Sequence, residues 1–306
     1  MTLLTLICVF VLEQLRPLGN CNRVWAPFTR YANYLERNLN AGTVSHGGLA
    51  WCIALLPPVL AVWLLYTLCF AISPVLAWVW NGVVLYMTMG FRHFSSPFSQ
   101  ILHALAEGRE LDARSVFREW TGQPCADTPV SEIARLAIEK GVVDSYRYVF
   151  GTMFWFIVLP GPLGALLFRL ATLLNQKWGQ RVADDDAFGT WAKRAMYALD
   201  WLPVRFTALS FAIMGNLEDA LYCWRSHVKN WKSEATGILL AAAAGAIGVR
   251  LGGTRLLQDG YMSNAYRFGL GTSDEADFYA LKRAVGLIWR SVLLWLGVMV
   301  LLSFVH

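Results

Sequence analysis

GLAWCIALLPPVLAVWLLYTLCFAI, residues 48–72, carries no charged side chain from end to end. A helix needs about 20 apolar residues to cross the hydrocarbon core of a bilayer, so this stretch is long enough to span it. Pro57 and Pro58 remove backbone donors within it and are expected to bend the helix. A second apolar run, 74–89, follows so closely that the two form either a helical hairpin or one long broken helix.

Working outward, the pattern repeats. Residues 148–174 are apolar but interrupted by Pro160-Gly161-Pro162, which implies a sharp kink or two half-helices. Residues 201–215 form a shorter run containing Pro203. Residues 236–253, TGILLAAAAGAIGVRLGG, are rich in the small residues that let helices approach closely in lipid. Residues 284–306 read as a final span, with Arg290 near enough to its start to snorkel. The expected fold is all-α: a polytopic membrane bundle with about four to six membrane-embedded helices.

Composition agrees. The 306 residues are 56% hydrophobic and only 15% charged, far from a soluble domain. Of the 14 Trp, Trp51, Trp78, Trp80, Trp155, Trp201 and Trp231 lie near the ends of apolar runs, where either the headgroup zone or core packing explains them. The net charge of +5 is spread over every loop, which is not the footprint of a nucleic-acid binder and suits anionic lipid or an anionic small molecule. Basic residues in nearly all loops leave orientation undecided. The six Cys include no CxxC pair and read as buried thiols without disulfides or zinc. The N-terminal run 2–12 lacks a basic n-region and a cleavage site and is expected to stay on the mature chain.

One stretch has a different character. Between residues 92 and 147, charges alternate with apolar residues at helical spacing, which predicts a polar, water-exposed helical insertion in a single domain of residues 1–306. Thr128-Pro129 supplies a helix start, and that helix is expected to run on into the third apolar segment.

No HExxH, Walker loop or GxSxG occurs, which excludes zinc-protease, P-loop and serine-hydrolase chemistry. Asp184, Asp185 and Asp186 form either a solvated loop or a weak Mg²⁺ site. Arg135 with Glu139 and Asp144 with Arg147 stand at i,i+4 and i,i+3, so each is either a self-satisfied pair or the lining of a polar cavity. Arg114, Arg194, Asp200, Arg205 and Arg250 complete the candidate ligand-binding set. Arg205 and Arg250 are expected inside the bundle with acidic or ligand partners, because an unpaired guanidinium facing lipid costs on the order of 3 kcal/mol.

Three blocks carry a family resemblance. ARLAIEKGVVDSYRYVFGTMFW (134–155) and FGTWAKRAMYALDWLPVRFTAL (188–209), with AAAAGAIGVRLGG (241–253) followed by Asp259-Gly260-Tyr261 and the acids Asp274, Glu275 and Asp277, resemble the CobD/CbiB family of cobalamin-biosynthesis membrane proteins over residues 100–283. In the first block Glu139 matches the family glutamate. Val143-Asp144 stand at its Glu-Asn, Arg147 at its Asp and Thr152 at its Pro. In the second block Arg194, Pro203, Arg205 and Thr207 match, while Met196-Tyr197 occupy the paired aspartates and Asp200 the asparagine. The YRY and LDWLPVR steps are similar to AmpE, a membrane protein linked to β-lactamase induction.

The resemblance implies a multi-pass protein of the bacterial inner membrane. It further implies either of two roles. One is a degenerate, non-catalytic member that binds an anionic ligand or acts in regulation, as the AmpE-like steps suggest. The other is an adenosylcobinamide-phosphate synthase, an ATP-dependent amide ligase joining aminopropanol phosphate to adenosylcobyric acid. Mg²⁺, ATP and a corrinoid are cofactors only under the second role, with Glu139, Asp144, Asp200 and Asp274 as the acids. The partners foreseen are the bilayer, an anionic small molecule or corrinoid, and a second copy in a homo-oligomer. A transporter is suggested only by the broken apolar segment and the arginines among apolar residues.

Overall fold

The computed structural model describes residues 2–16, 21–122, 125, 128–180, 187–227, 231, 233–252 and 277–305. In chain order its α-helices are α1 (Thr2–Leu15), α2 (Cys21–Leu39), α3 (Val44–Ile72), α4 (Pro74–Thr88), α5 (Phe91–Ala106), α6 (Glu110–Thr121), α7 (Val130–Ser145), α8 (Gly151–Val158), α9 (Leu163–Leu174), α10 (Thr190–Met214), α11 (Leu217–His227), α12 (Glu234–Ile247) and α13 (Phe278–Val305). Two π-helical turns, Tyr146–Phe150 and Asn175–Gly179, follow α7 and α9. No β-strand occurs among the described residues. The chain is a helical membrane protein.

The helices divide into two compact units, the first comprising Met1–Arg92 with Arg147–Pro203, the second His93–Tyr146 with Val204–His306. In the first unit the opening stretch forms α3, a 29-residue helix of which only Gly47, Ala50, Ala54 and Leu55 are buried. Thr43 caps its start by accepting the His46 N–H. Ser73 ends it in extended backbone and caps the next helix through the Val75 N–H, with Pro74 in the first turn of α4. This one residue makes a hairpin of two tightly joined runs, and α3 packs on α4. The third apolar segment is likewise two helices. α8 stops at Val158, Gly161 takes φ +64°, and α9 returns against α8. Gly164 is required there, because a Cβ would lie 1.8 Å from the Trp155 carbonyl oxygen.

In the second unit α7 is central, packed on α12 and α13, with ten of its sixteen residues buried. Eleven of the fourteen residues of α12 are buried. Its small residues serve contact with α11: a Cβ on Gly245 would sit 2.5 Å from the Asp219 carbonyl oxygen, and α11 packs on α12.

Two helices, α3 and the Phe278–Leu301 part of α13, are long and apolar enough to cross a membrane. The pair α4 and α5, bent by 40°, makes a third if it is one span. The four to six membrane-embedded helices expected from the sequence thus resolve into these plus shorter apolar helices. The segment 148–174 folds back at its Pro-Gly-Pro, and the small-residue segment ends at Ile247. Within residues 92–147, α6 bears exposed charges such as Glu110 and Asp112, whereas α7 lies in the interior of its unit.

Candidate functional site

The charges foreseen on α7 are present as a buried network in the second unit. Glu139 lies one turn beyond Arg135, and the two join at 2.9 Å. Arg135 also donates through Nε to Glu132 at 2.8 Å and through a second, short contact to the same carboxylate. Glu139 takes one further donor from far along the chain, the Gly252 N–H at 2.8 Å. That bond ties α7 to the end of the small-residue segment, so two of the blocks that resemble one family meet at one carboxylate. Burial works to lower the Arg135 pKa, but the bond to Glu132 and the charge of Glu139 outweigh it and hold the guanidinium above its ordinary value.

One turn on, Asp144 is buried and pairs with Lys140 at 2.9 Å, and the Lys140 ammonium sits 5.3 Å from the centre of the Trp120 ring. The partner of Asp144 within its own unit is thus the lysine one turn before it. Arg147 itself lies in the π-helical turn after α7, half-buried. Arg205 on α10 is half-buried and meets Glu234, at the start of α12, at 2.8 Å, an acidic partner of the kind expected. Arg114 on α6 donates to the Cys125 carbonyl and lies 3.7 Å from Glu110.

Arg250 corrects an expectation. It is exposed, not interior, because α12 ends at Ile247 and Gly248 turns the chain with φ +68°, so Arg250 lies beyond the apolar helix and does not interrupt it. In the first unit, Arg194 is exposed and Asp200 half-buried on α10. The residues at the family's paired aspartates point to different environments. Met196 is buried, with its sulfur 3.9 Å from the Thr172 hydroxyl, while Tyr197 is exposed. Asp184, Asp185, Asp186, Asp259, Asp274 and Glu275 lie outside the described residues. Asp277 is described and caps α13 through the Ala280 N–H.

Several buried charges carry no motif in the sequence, Arg169 and Glu13 among them. Arg169 on α9 is buried, its guanidinium 4.5 Å from the Tyr148 ring centre and 5.7 Å from that of Trp25. Its signal was a lone arginine within LLFRLATLL. Glu13 on α1 is buried and accepts the Arg92 N–H at the start of α5; burial raises its pKa to about 7 against the pull of the Arg92 and Phe91 backbone bonds.

Mg²⁺ prefers several oxygen ligands in near-octahedral array. Among the described residues no three acidic or His/Cys side chains gather to supply such a set, and Glu139 and Asp144 are each committed to a cation.

A helical membrane protein with a charged, buried helix linked to a small-residue segment is the class these features define. The model of the CobD/CbiB protein family matches residues 15–288, and the chain belongs to that family. It is 35% identical over 281 residues to the cobalamin biosynthesis protein CobD of Stutzerimonas stutzeri, covering 89% of this chain and 88% of that protein. It is 32% identical over 264 residues to the CobD of Chromobacterium violaceum, with 85% and 82% covered. A more distant relative, a probable cobalamin biosynthesis protein CobD of Aeropyrum pernix, is 24% identical over 213 residues, with 67% and 65% covered. No solved structure matches.

Proposed function

We propose that this chain is a multi-pass protein of the bacterial cytoplasmic membrane that keeps the CobD/CbiB scaffold and binds an anionic small molecule, acting by binding or regulation and not as the ligase. The observation that carries this reading is the fate of the family's acidic positions. At the paired aspartates stand a buried Met196, spent on a contact with Thr172, and an exposed Tyr197. Val143 replaces the second glutamate, and Glu139 is held by Arg135 and the Gly252 N–H. Arginines persist where acids are lost: Arg194 and Arg205 keep family positions, and Arg250 is exposed. Guanidinium groups neutralise phosphate or carboxylate charge, but they do not position a hard cation for phosphoryl chemistry.

The full-length relatives named for cobalamin biosynthesis favour a second reading, that of adenosylcobinamide-phosphate synthase, with Asp184 or Asp274 supplying oxygens from the segments outside the described residues. One assay separates the two. Purified protein given ATP, Mg²⁺, adenosylcobyric acid and aminopropanol phosphate is expected to make little or no adenosylcobinamide phosphate, while still binding the corrinoid or the phosphate in a calorimetric titration weakened by Arg250→Gln. Robust turnover abolished by Asp274→Asn or Asp184→Asn would establish the synthase instead.

A further inference from the structure

The exposed face of α13 changes character along its length. Its opposite face, with Ala280, Leu281, Ala284, Leu287, Ile288 and Val292, is buried, and the helix packs on α7 and α12. Outward, at helical spacing, come Tyr279, Lys282 and Arg283, Gly286 and Arg290, all cationic or small after the tyrosine. The same face then continues as Leu293, Gly297 and Leu301, with Leu293 and Leu301 exposed by 62% and 68%. No acidic partner meets Lys282, Arg283 or Arg290 among the described residues. Between them is a dent of about 460 Å³ lined by Tyr279, Lys282, Arg283, Gly286 and Arg290. Gly286 lines it without a side chain, and a Cβ built there meets nothing within 4 Å.

We infer that this stripe is a binding site for one anionic phospholipid, its phosphate held by Lys282, Arg283 and Arg290 in the dent at Gly286 and one acyl chain laid along Leu293, Gly297 and Leu301. The occupant follows from the switch along the face. A soluble anion would engage the three cations alone, whereas a phospholipid also uses the leucines that follow them on a face already turned to hydrocarbon. A neutral lipid would account for the apolar half and leave three cations uncompensated. The dimensions agree: from Arg290 to Leu301 is about 16 Å of helix, the depth of one leaflet of hydrocarbon, and the three long cationic side chains reach back towards the headgroups. The site is independent of the Glu139 network and of the anionic ligand proposed above.

The full chain, reconstituted in nanodiscs of phosphatidylcholine doped with phosphatidylglycerol and released into detergent, is read by native mass spectrometry for retained lipid. The wild type is expected to keep one phosphatidylglycerol in preference to phosphatidylcholine. K282Q/R283Q/R290Q is expected to weaken retention on the order of a hundredfold, the combined effect of three surface cations. Gly286→Leu, which adds bulk to the dent without changing charge at a position where a Cβ has nothing within 4 Å, is expected to lower retention about tenfold with thermal stability intact; this guards against a triple variant that fails to fold. Equal retention of the two lipids, unchanged retention in both variants, or displacement of the lipid by millimolar pyrophosphate would each overturn the inference.

Discussion

Helices α3 and α7 are near opposites. α3 is apolar and outward: Leu49, Ile53, Leu56, Leu60, Leu64 and Leu68 are all more than a third exposed. α7 is charged and inward, with Arg135, Glu139 and Asp144 each 9% exposed or less. In water both arrangements would be costly. Set in a bilayer, the first is ordinary, since lipid is as apolar as leucine, and the second is tolerable because every buried charge has a partner of opposite sign within hydrogen-bonding reach. The contrast teaches that burial in this chain sorts residues by whether they need protein partners and not by polarity.

The sharpest way to break the comparison is to put a charge on the outward helix. Leu60 lies near the middle of α3 and is 54% exposed. Replacing leucine by aspartate at the centre of a span costs about 4 kcal/mol of insertion free energy, whereas on a water-facing helix the same change stays within about 0.5 kcal/mol. Leu60→Asp is therefore expected to shift the protein from the membrane fraction into aggregates or proteolysis. A variant that still floats with membranes at wild-type level would show that α3 faces water.

The inward helix is tested by orphaning a charge. Glu139→Ala leaves Arg135 with Glu132 alone and strips the Gly252 N–H of its acceptor. Removing one partner of a buried pair costs roughly 3 kcal/mol, and R135M/E139M is expected to recover at least half of the loss because the one charge it leaves without its partner, Glu132, is the more exposed carboxylate of the network. Denaturant titration in micelles reads both. Equal loss in the single and double variants would mean that the network contributes through shape and not through charge.

A third test uses proton binding at Glu13, where α1 meets the start of α5. The carboxyl is ordinarily at 4.5 and is raised to about 7 by burial, so the folded protein holds this proton more tightly than the unfolded chain does. The stabilisation is complete below pH 4.5 and is lost as pH rises through 7, in total roughly 3 kcal/mol. Glu13→Gln is expected to raise the melting temperature at pH 8, to change little at pH 4.5, and to flatten the slope between. A slope unaffected by the variant would assign the pH dependence to other groups.

Much of this contrast was legible in the sequence. The uncharged run in α3, the break at Pro160-Gly161-Pro162 and the small residues of α12 depend on local rules, and each appears where those rules put it. The interior position of α7 was not legible, because i,i+4 pairs such as Arg135 with Glu139 look the same on a solvated face as in a core, and only the packing of α12 and α13 decides between them. The partner choice at Asp144 was missed for a smaller reason: Lys140 precedes it by four residues on a regular helix, while Arg147 follows it across the change to π-helical winding.

Arg250 sharpens the comparison from the other side and should give the smallest effect. In the apolar run around it the guanidinium looks buried, and truncating a buried partnered arginine costs about 3 kcal/mol or more. The structure ends α12 three residues earlier and turns the chain at Gly248, which leaves the side chain exposed. Exposed substitutions away from caps and networks stay within about 0.5 kcal/mol, so Arg250→Gln is expected to leave the denaturation midpoint unchanged while weakening the anionic ligand proposed above. The neighbouring Gly252 N–H, which binds Glu139, is the control in the same turn. Its bond comes from the backbone and survives any side-chain change at Arg250, so a loss of several kcal/mol in Arg250→Gln would mean that the guanidinium is held inside after all, and with it the segment that closes on α7.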